Sequence, residues 1–252
     1  MTNVVTFLRN MFTGQKGISV HDAYSIAALT AFANCSNESR RVTREQSLEE
    51  ISNNVVEIFV EVGMMRTRGS GLMFTTDGYV LTAHHVVEDL IGCMGSVKIK
   101  TQDGQEQYIK EKSMWYNEKT DIAILKVGKC TVPAPIKIKV SQDGMLQKGD
   151  EIRILGFRDG QKYNTLGMIT NPHFDYKSTK KIIYDLFQTD ARGLQGQSGG
   201  IIANGDGELI GIVVFGSIME GEKISLIGGA RISSALRYIN HIAAKQSAKM
   251  FE

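Results

Sequence analysis

Three short stretches of the sequence carry side chains that could share one reaction. GLQGQSGGII holds a single serine, Ser198, among four glycines. The stretch YVLTAHH ends on His84 and His85, and Asp121 directly precedes the apolar run IAILKV. A serine hydroxyl becomes a nucleophile when a histidine takes its proton, and an aspartate can hold that histidine in place.

Taken singly, each of these stretches is a weak signal. Glycine-rich turns usually satisfy only backbone geometry, and a short motif on its own often has no catalytic meaning. A histidine at the end of a strand is more often structural or exposed, and an aspartate before a strand is usually a turn or cap residue. The chemistry therefore depends on whether the fold brings the three side chains together.

The chain after Val55 predicts short strands joined by tight turns. Asp-Gly and Asn-Gly pairs, which supply the positive φ angles of hairpins, recur between β-branched runs, and no helical stretch is long enough for parallel crossovers. The sequence therefore predicts an all-β fold, a double antiparallel β-barrel. The predicted strands are VVEIFVEV, GLMFTT, YVLTA, VKIKT, IAILKV, IKIKV, EIRILGF, KIIYDLF and LIGIVVF.

Helices are predicted at the two ends of the chain. Residues 19–41 suit a helix with an alanine-rich interior, and residues 40–50 form either a charged connector or a short second helix. A closing helix is predicted from Ile232 to Lys249, because apolar residues recur there at helical spacing. The predicted organisation is an N-terminal helical extension or linker over 1–52 and one domain over 53–252. Its barrels span roughly 53–135 and 136–230, and the C-terminal helix follows.

Composition limits the classes of function. The 252 residues are 42% hydrophobic and 22% charged, with a formal net charge of +2, which is the balance of a soluble globular protein and gives no case for nucleic-acid binding. The three cysteines, Cys35, Cys93 and Cys130, are widely spaced and form no CxxC pair. We therefore predict no disulfide framework, no metal site and no cofactor, and no run is long enough to span a membrane.

One apolar segment bears on the compartment. YSIAALTAFA, residues 24–33, could be the apolar core of an export signal, but a polar lead precedes it. We favour a helix that is buried or that contacts an oligomer or another partner. The chain is accordingly predicted to be cytoplasmic, with export as the alternative if residues 24–33 are a signal segment.

The three stretches together resemble a known family. LTAHHVV, TDIAILKV and QTDARGLQGQSGG resemble the three signature segments of the trypsin-like serine proteases, most closely those of the HtrA-type branch. The resemblance covers roughly residues 53–243, and no PDZ module, common in that branch, is present in the sequence. It implies the chymotrypsin fold and a serine-type endopeptidase that acts on protein or peptide substrates.

The resemblance also implies a role for each reactive residue. Counting from Thr82 in the family's Thr-Ala-x-His pattern makes His85 the catalytic base. Asp121 would orient it, and Ser198 would be the nucleophile that forms an acyl-enzyme intermediate. The backbone amides of Gly196 and Ser198 would form the oxyanion hole.

The resemblance leaves the substrate preference open. Apolar pocket walls predict cleavage after aliphatic residues, whereas an arginine at the pocket floor would prefer acidic ones. The strand that forms one wall is also predicted to pair with an extended substrate backbone. A non-catalytic peptide-binding or chaperone-like module on a protease scaffold is the alternative function. The predicted substrate-binding residues are Arg192, Gly193, Leu194, Ile212, Val213 and Val214.

Overall fold

A computed structural model gives the fold of most of the chain. Within it, two curled antiparallel sheets lie one after the other in sequence, with a short helix before them and a long helix after them. The helix predicted over residues 19–41 and the strand predicted at IKIKV lie outside the described residues. The structure describes residues 44–75, 78–101, 104–109, 113–127, 146–177, 181–193, 195–218 and 225–249.

The first sheet has seven strands in the order β5-β4-β1-β2-β3-β7-β6. All of its neighbours pair antiparallel, and within the described residues its ladder runs from one edge strand to the other without closing. The strands are β1 (Val55–Val62), β2 (Met65–Met73), β3 (Tyr79–Ala83), β4 (Gly95–Lys100), β5 (Glu106–Ile109), β6 (Met114–Asn117) and β7 (Ile122–Lys126).

The second sheet is a closed barrel of six strands in the order β10-β13-β12-β11-β8-β9. Asp159 and Gly160, both at positive φ, form the predicted tight turn between β8 and β9. The strands are β8 (Glu151–Arg158), β9 (Gln161–Lys177), β10 (Ile182–Thr189), β11 (Ile201–Asn204), β12 (Leu209–Ile218) and β13 (Ser225–Arg231).

Two helices flank these sheets, and one α-helical turn, His84–Val87, followed by a 3₁₀ turn, Glu88–Leu90, lies between β3 and β4. The leading helix, Arg44–Asn53, falls where the sequence allowed either a connector or a helix, and its Ile51 is buried in the core. The predicted boundary after residue 52 therefore falls at the end of a helix that is part of the packed structure. The closing helix, Ile232–Lys249, has its predicted bounds and buries Ile232, Ile239 and Ile242. Burial of each such side chain contributes about 1.5–3 kcal/mol to the stability of the fold. No helix in the described part of the chain is long and apolar enough to cross a membrane.

The all-β, double-barrel fold predicted from the sequence is confirmed. Five strands were missed: β5, β6, β9, β11 and β13. EQYI, MWYN and IIAN are only four residues long and lack a clear alternating pattern. The segments of β9 and β13 are interrupted by glycine or proline, which are weak strand formers. One continuous apolar cluster takes side chains from both sheets and from both helices. The junction between the sheets is therefore a packed interface.

Candidate active site

Sheet pairing brings the histidine pair and Asp121 together. β3 and β7 are neighbours in the first sheet, with Ala83 opposite Ile122. Because the strands are antiparallel, the residue after β3 and the residue before β7 lie at the same end of the sheet. The backbone amide of His84 donates to the carbonyl oxygen of Asp121 at 3.0 Å, which continues the ladder by one step.

The Asp121 carboxylate is buried and binds His85 twice. The side chain is 1% exposed and its residue has a φ of +54°, a conformation that aspartate tolerates better than most residues. Oδ1 accepts the His85 backbone amide at 2.9 Å, and Oδ2 lies 2.7 Å from Nδ1 of the ring. An ionised carboxylate can only accept, so the ring proton is on Nδ1 and the lone pair is on Nε2.

His84, the other member of the pair, faces away from this contact. Its ring is buried and stacks on Tyr116, with ring centroids 4.8 Å apart. Neither ring nitrogen has a hydrogen-bond partner among the described residues. Burial lowers the pKa of His84 below its ordinary value, so the ring is neutral at pH 7. The environment of His84 is that of a packed aromatic side chain.

Ser198 lies in the serine loop, residues 195–200, between β10 and β11. Gly199 has a φ of +78°, and a side chain there would collide with the Thr82 hydroxyl and the Ser70 carbonyl oxygen. The Gly199 amide donates to Val213 at 2.7 Å. Only glycine fits this approach, which seats the residue after Ser198 against the last residues of β3.

Ser70 joins the serine loop to the first sheet, and sequence reasoning missed it. Its amide donates to the Ser198 carbonyl at 2.7 Å, and its buried hydroxyl donates to the Gly196 carbonyl at 2.8 Å. The same hydroxyl accepts the Phe157 amide of β8 at 2.7 Å, and the Ser70 carbonyl accepts the Thr82 hydroxyl at 2.7 Å. The available signal was a serine flanked by two glycines inside an apolar strand.

Within the described residues, Ser198 and the amides of the serine loop make no hydrogen bond with His85. Among the described residues, the Ser198 hydroxyl makes no hydrogen bond, and neither the Gly196 amide nor the Ser198 amide donates one. The structure thus joins His85 to Asp121 but does not join Ser198 to His85. The backbone amides of Gly196 and Ser198 are therefore available to an acceptor from outside the chain.

The predicted pocket residues fall in different environments. Arg192 is exposed and Gly193 is half-buried, while Leu194 lies outside the described residues. Ile212, Val213 and Val214 of β12 are buried.

The backbone of β12 is partly occupied by its own neighbours. The Val213 carbonyl accepts the Gly199 amide and its amide donates to Gly200, while Ile212 lies opposite Ile201 on one side and Ala230 on the other. The predicted pairing of a substrate strand with Ile212 and Val213 is therefore blocked by these contacts. A substrate strand would have to pair beyond Val213.

Neither metal ligands nor cysteine pairs accompany the site. The described ranges contain no group of three or more His, Cys, Asp or Glu side chains with the geometry of a metal site. Cys93 is a free, exposed thiol. Cys35 and Cys130 lie outside the described residues.

Comparison with known proteins identifies relatives of the chain. The family model of the trypsin-like peptidase domain matches residues 69–212, which is more than half of the chain. A Chlamydia muridarum protein named "Probable periplasmic serine endoprotease DegP-like" is 34% identical over 148 residues, covering 58% of this chain and 27% of that protein. A Haemophilus influenzae protein named "Probable periplasmic serine protease do/HhoA-like" is 33% identical over 151 residues, covering 58% and 30%. The aligned part thus spans about a third or less of these relatives.

Solved structures share the fold. The "HtrA-type protease AlgW with tripeptide" superposes with a TM-score of 0.65 at 22% identity, covering 80% of this chain and 64% of that one. A second AlgW structure, with a decapeptide, gives a TM-score of 0.63 at 20% identity, covering 80% and 67%. At this identity the likeness establishes the fold alone.

The comparisons correct one prediction and confirm another. The cytoplasmic location is wrong, because the relatives are named periplasmic proteins, which points to export. The predicted resemblance and the predicted class of serine-type endopeptidase agree with the family model and with the relatives' names. The chain belongs to the trypsin-like peptidase domain family, with HtrA-type serine proteases among its relatives.

Proposed function

We propose that the chain hydrolyses peptide bonds with Ser198 as the nucleophile, His85 as the general base and Asp121 as the orienting acid. The observation that carries this proposal is the 2.7 Å contact between His85 Nδ1 and a carboxylate that is 1% exposed. A buried carboxylate aimed at one ring nitrogen leaves the other nitrogen as a directed base.

The reaction proceeds in two halves. Nε2 of His85 takes the hydroxyl proton of Ser198 as the oxygen attacks the substrate carbonyl, and the resulting imidazolium is stabilised by Asp121. The imidazolium then protonates the leaving amine, which leaves an acyl group on Ser198. Water, deprotonated by the same nitrogen, releases the acid and restores the serine. The hydrogen bond from Ser198 to Nε2 is expected to form in the substrate complex, since catalytic hydrogen bonds often tighten there.

The Gly196 and Ser198 amides are the donors for the developing oxyanion. Their support is that neither amide donates to a described residue, while the neighbouring amides of Gly199 and Gly200 are both occupied. Each oxyanion donor in such a site contributes roughly 3–4 kcal/mol to transition-state stabilisation.

The substrates proposed are proteins cleaved after aliphatic residues. The backbone of Val213, in the apolar strand β12, bonds Gly199 and Gly200 of the serine loop, and the exposed Arg192 side chain weakens the acidic alternative. Cleavage-site profiling on a peptide library should give Val, Ala, Leu or Ile before the scissile bond. A profile dominated by Asp or Glu would reverse this assignment.

The compartment proposed is outside the cytoplasm, following the relatives' names. Fractionation of cells that produce the full chain should recover it from the exported fraction. Residues 1–43 are proposed to mediate oligomer or partner contacts. Their removal, which keeps the packed helix Arg44–Asn53, should change the size of the particle in solution and leave the peptidase activity in place.

A fluorophosphonate probe tests the core of the proposal. The wild-type chain should be labelled on Ser198, and Ser198→Ala should lose the label while keeping its circular dichroism and unfolding midpoint. Peptide hydrolysis should disappear with the label. A folded wild-type chain that binds peptides but takes no label under any pH would instead be a peptide-binding or chaperone-like module.

A further inference from the structure

Lys181, just before β10 of the second barrel, reaches the acid in the first sheet. Its ammonium nitrogen lies 3.5 Å from Oδ1 of Asp121 and 3.8 Å from Oε2 of Glu88. The Lys181 side chain is 29% exposed, whereas the Asp121 side chain is 1% exposed. The cation therefore lies at the edge of the buried carboxylate, on the oxygen that also accepts the His85 amide.

A second contact ties the same strand to the same loop. The Tyr184 amide of β10 donates to the carbonyl oxygen of Lys119 at 2.8 Å. Lys119 precedes Asp121 by two residues in the turn between β6 and β7. The β9–β10 hairpin thus holds the Asp121 turn through a backbone hydrogen bond and an ion pair together.

We propose that Lys181 is a positioning residue that acts through Asp121, fixing the carboxylate and setting the pH range in which His85 is an unprotonated base. This inference rests on the proposed function. A carboxylate taken out of water requires compensation by hydrogen bonds or opposite charge. His85 supplies the two hydrogen bonds, and Lys181 supplies the charge.

The sign of the effect follows from the charges around the site. By Coulomb's law Lys181, 3.5 Å from Oδ1 of Asp121, opposes a positive charge on the imidazole that Asp121 also contacts. The carboxylates of Asp121 and of Glu88, the other partner of Lys181, favour that charge. His84, the other ionisable group beside them, is neutral because burial lowers its pKa. Removing Lys181 should therefore let His85 hold its proton to higher pH.

The pH profile of kcat/KM gives the test. In Lys181→Met the acid limb of the profile should move to higher pH by about one unit. In Glu88→Gln the acid limb should move to lower pH for two reasons. A negative charge near the imidazole is lost, and Glu88 no longer competes with Asp121 for the Lys181 ammonium group. Lys181→Arg should restore the wild-type limb. The matched control is Lys177→Met, which removes an exposed lysine from the same hairpin and should leave the limb in place.

Opposite shifts separate electrostatic positioning from a general loss of structure. A purely structural role for Lys181 would lower the rate at every pH without moving the limb, and that result would overturn the inference. Equal shifts in Lys181→Met and Lys177→Met would also overturn it. If the wild-type chain is labelled on Ser198 but the acid limb of Lys181→Met does not move, only this inference is contradicted. If the wild-type chain itself is not labelled, the proposed function is contradicted.

Discussion

The two halves of the molecule position their reactive groups in different ways. In the first sheet, His85 and Asp121 follow and precede strands that pair directly, so a single ladder places the acid against the base. In the second barrel, Ser198 lies on a loop whose position depends on contacts with the first sheet, chiefly through Ser70. The contact between His85 and Asp121 is therefore local to one half, and the position of Ser198, the proposed nucleophile, is a property of the interface.

This difference explains which contact is formed in the free protein. The His85–Asp121 hydrogen bond lies within one sheet, and the rigidity of paired strands preserves it. A hydrogen bond between Ser198 and His85 requires that the two sheets and the glycine-rich serine loop are correctly placed relative to one another. We expect variants of the His85–Asp121 pair to affect chemistry at constant stability, and variants that break the contacts between Ser70 and the serine loop to affect both.

The largest expected effect tests the pair in the first sheet. Asp121→Asn should keep the fold, because asparagine also tolerates a positive φ, but it should reverse the hydrogen-bonding preference of the His85 ring. Turnover should fall by about 10⁴-fold, measured by peptide hydrolysis. Asp159→Asn, an exposed aspartate also at positive φ, is the matched control and should retain full activity. Equal activity in both variants would remove Asp121 from the mechanism.

An intermediate effect tests the interface. Ser70→Ala removes the hydroxyl that joins Gly196 to Phe157, leaving a buried carbonyl and a buried amide without that partner. The free energy of unfolding should fall by about 1–3 kcal/mol in denaturant titration, and labelling of Ser198 should slow. The control is Thr67→Val, which removes a hydroxyl from the same strand that does not bond Gly196 or Phe157. It should change neither the free energy of unfolding nor the labelling rate. If Ser70→Ala were labelled at the same rate as the wild-type chain, the serine loop would keep its position without the Ser70 hydroxyl.

The smallest effect separates His84 from its neighbour. Burial lowers the pKa of His84 below 6.5, so the unfolded chain binds this proton more readily than the folded one. Stability from this group is present above pH 6.5 and is lost as the pH falls below it. His84→Phe keeps the stacking on Tyr116 and should flatten the decline in stability as the pH falls below 6.5. His241→Phe, at an exposed imidazole, is the control. If the dependence of stability on pH were the same in His84→Phe as in the wild-type chain, a group other than His84 would be responsible for it.

Sequence reasoning reached the fold and proposed the reactive residues, whose roles stay a prediction, but it missed the residues that support them. The bounds of the closing helix were predictable because its apolar residues repeat at one period over eighteen residues. The four-residue strands were not, because so short a run has no measurable period. Ser70 and Lys181 were missed because their partners lie 126 and 60 positions away along the chain.

The sequence by itself determined the class of the fold and the chemical types available to the site. Hairpin turns, alternating strands and the order of His85, Asp121 and Ser198 are local facts that need no coordinates. The tertiary structure decided where the ring of His84 packs, which serine holds the serine loop, and which cation faces the buried carboxylate. Such choices depend on strand pairing and on the packing of one sheet against the other, and these are set by contacts between distant residues that no local pattern records.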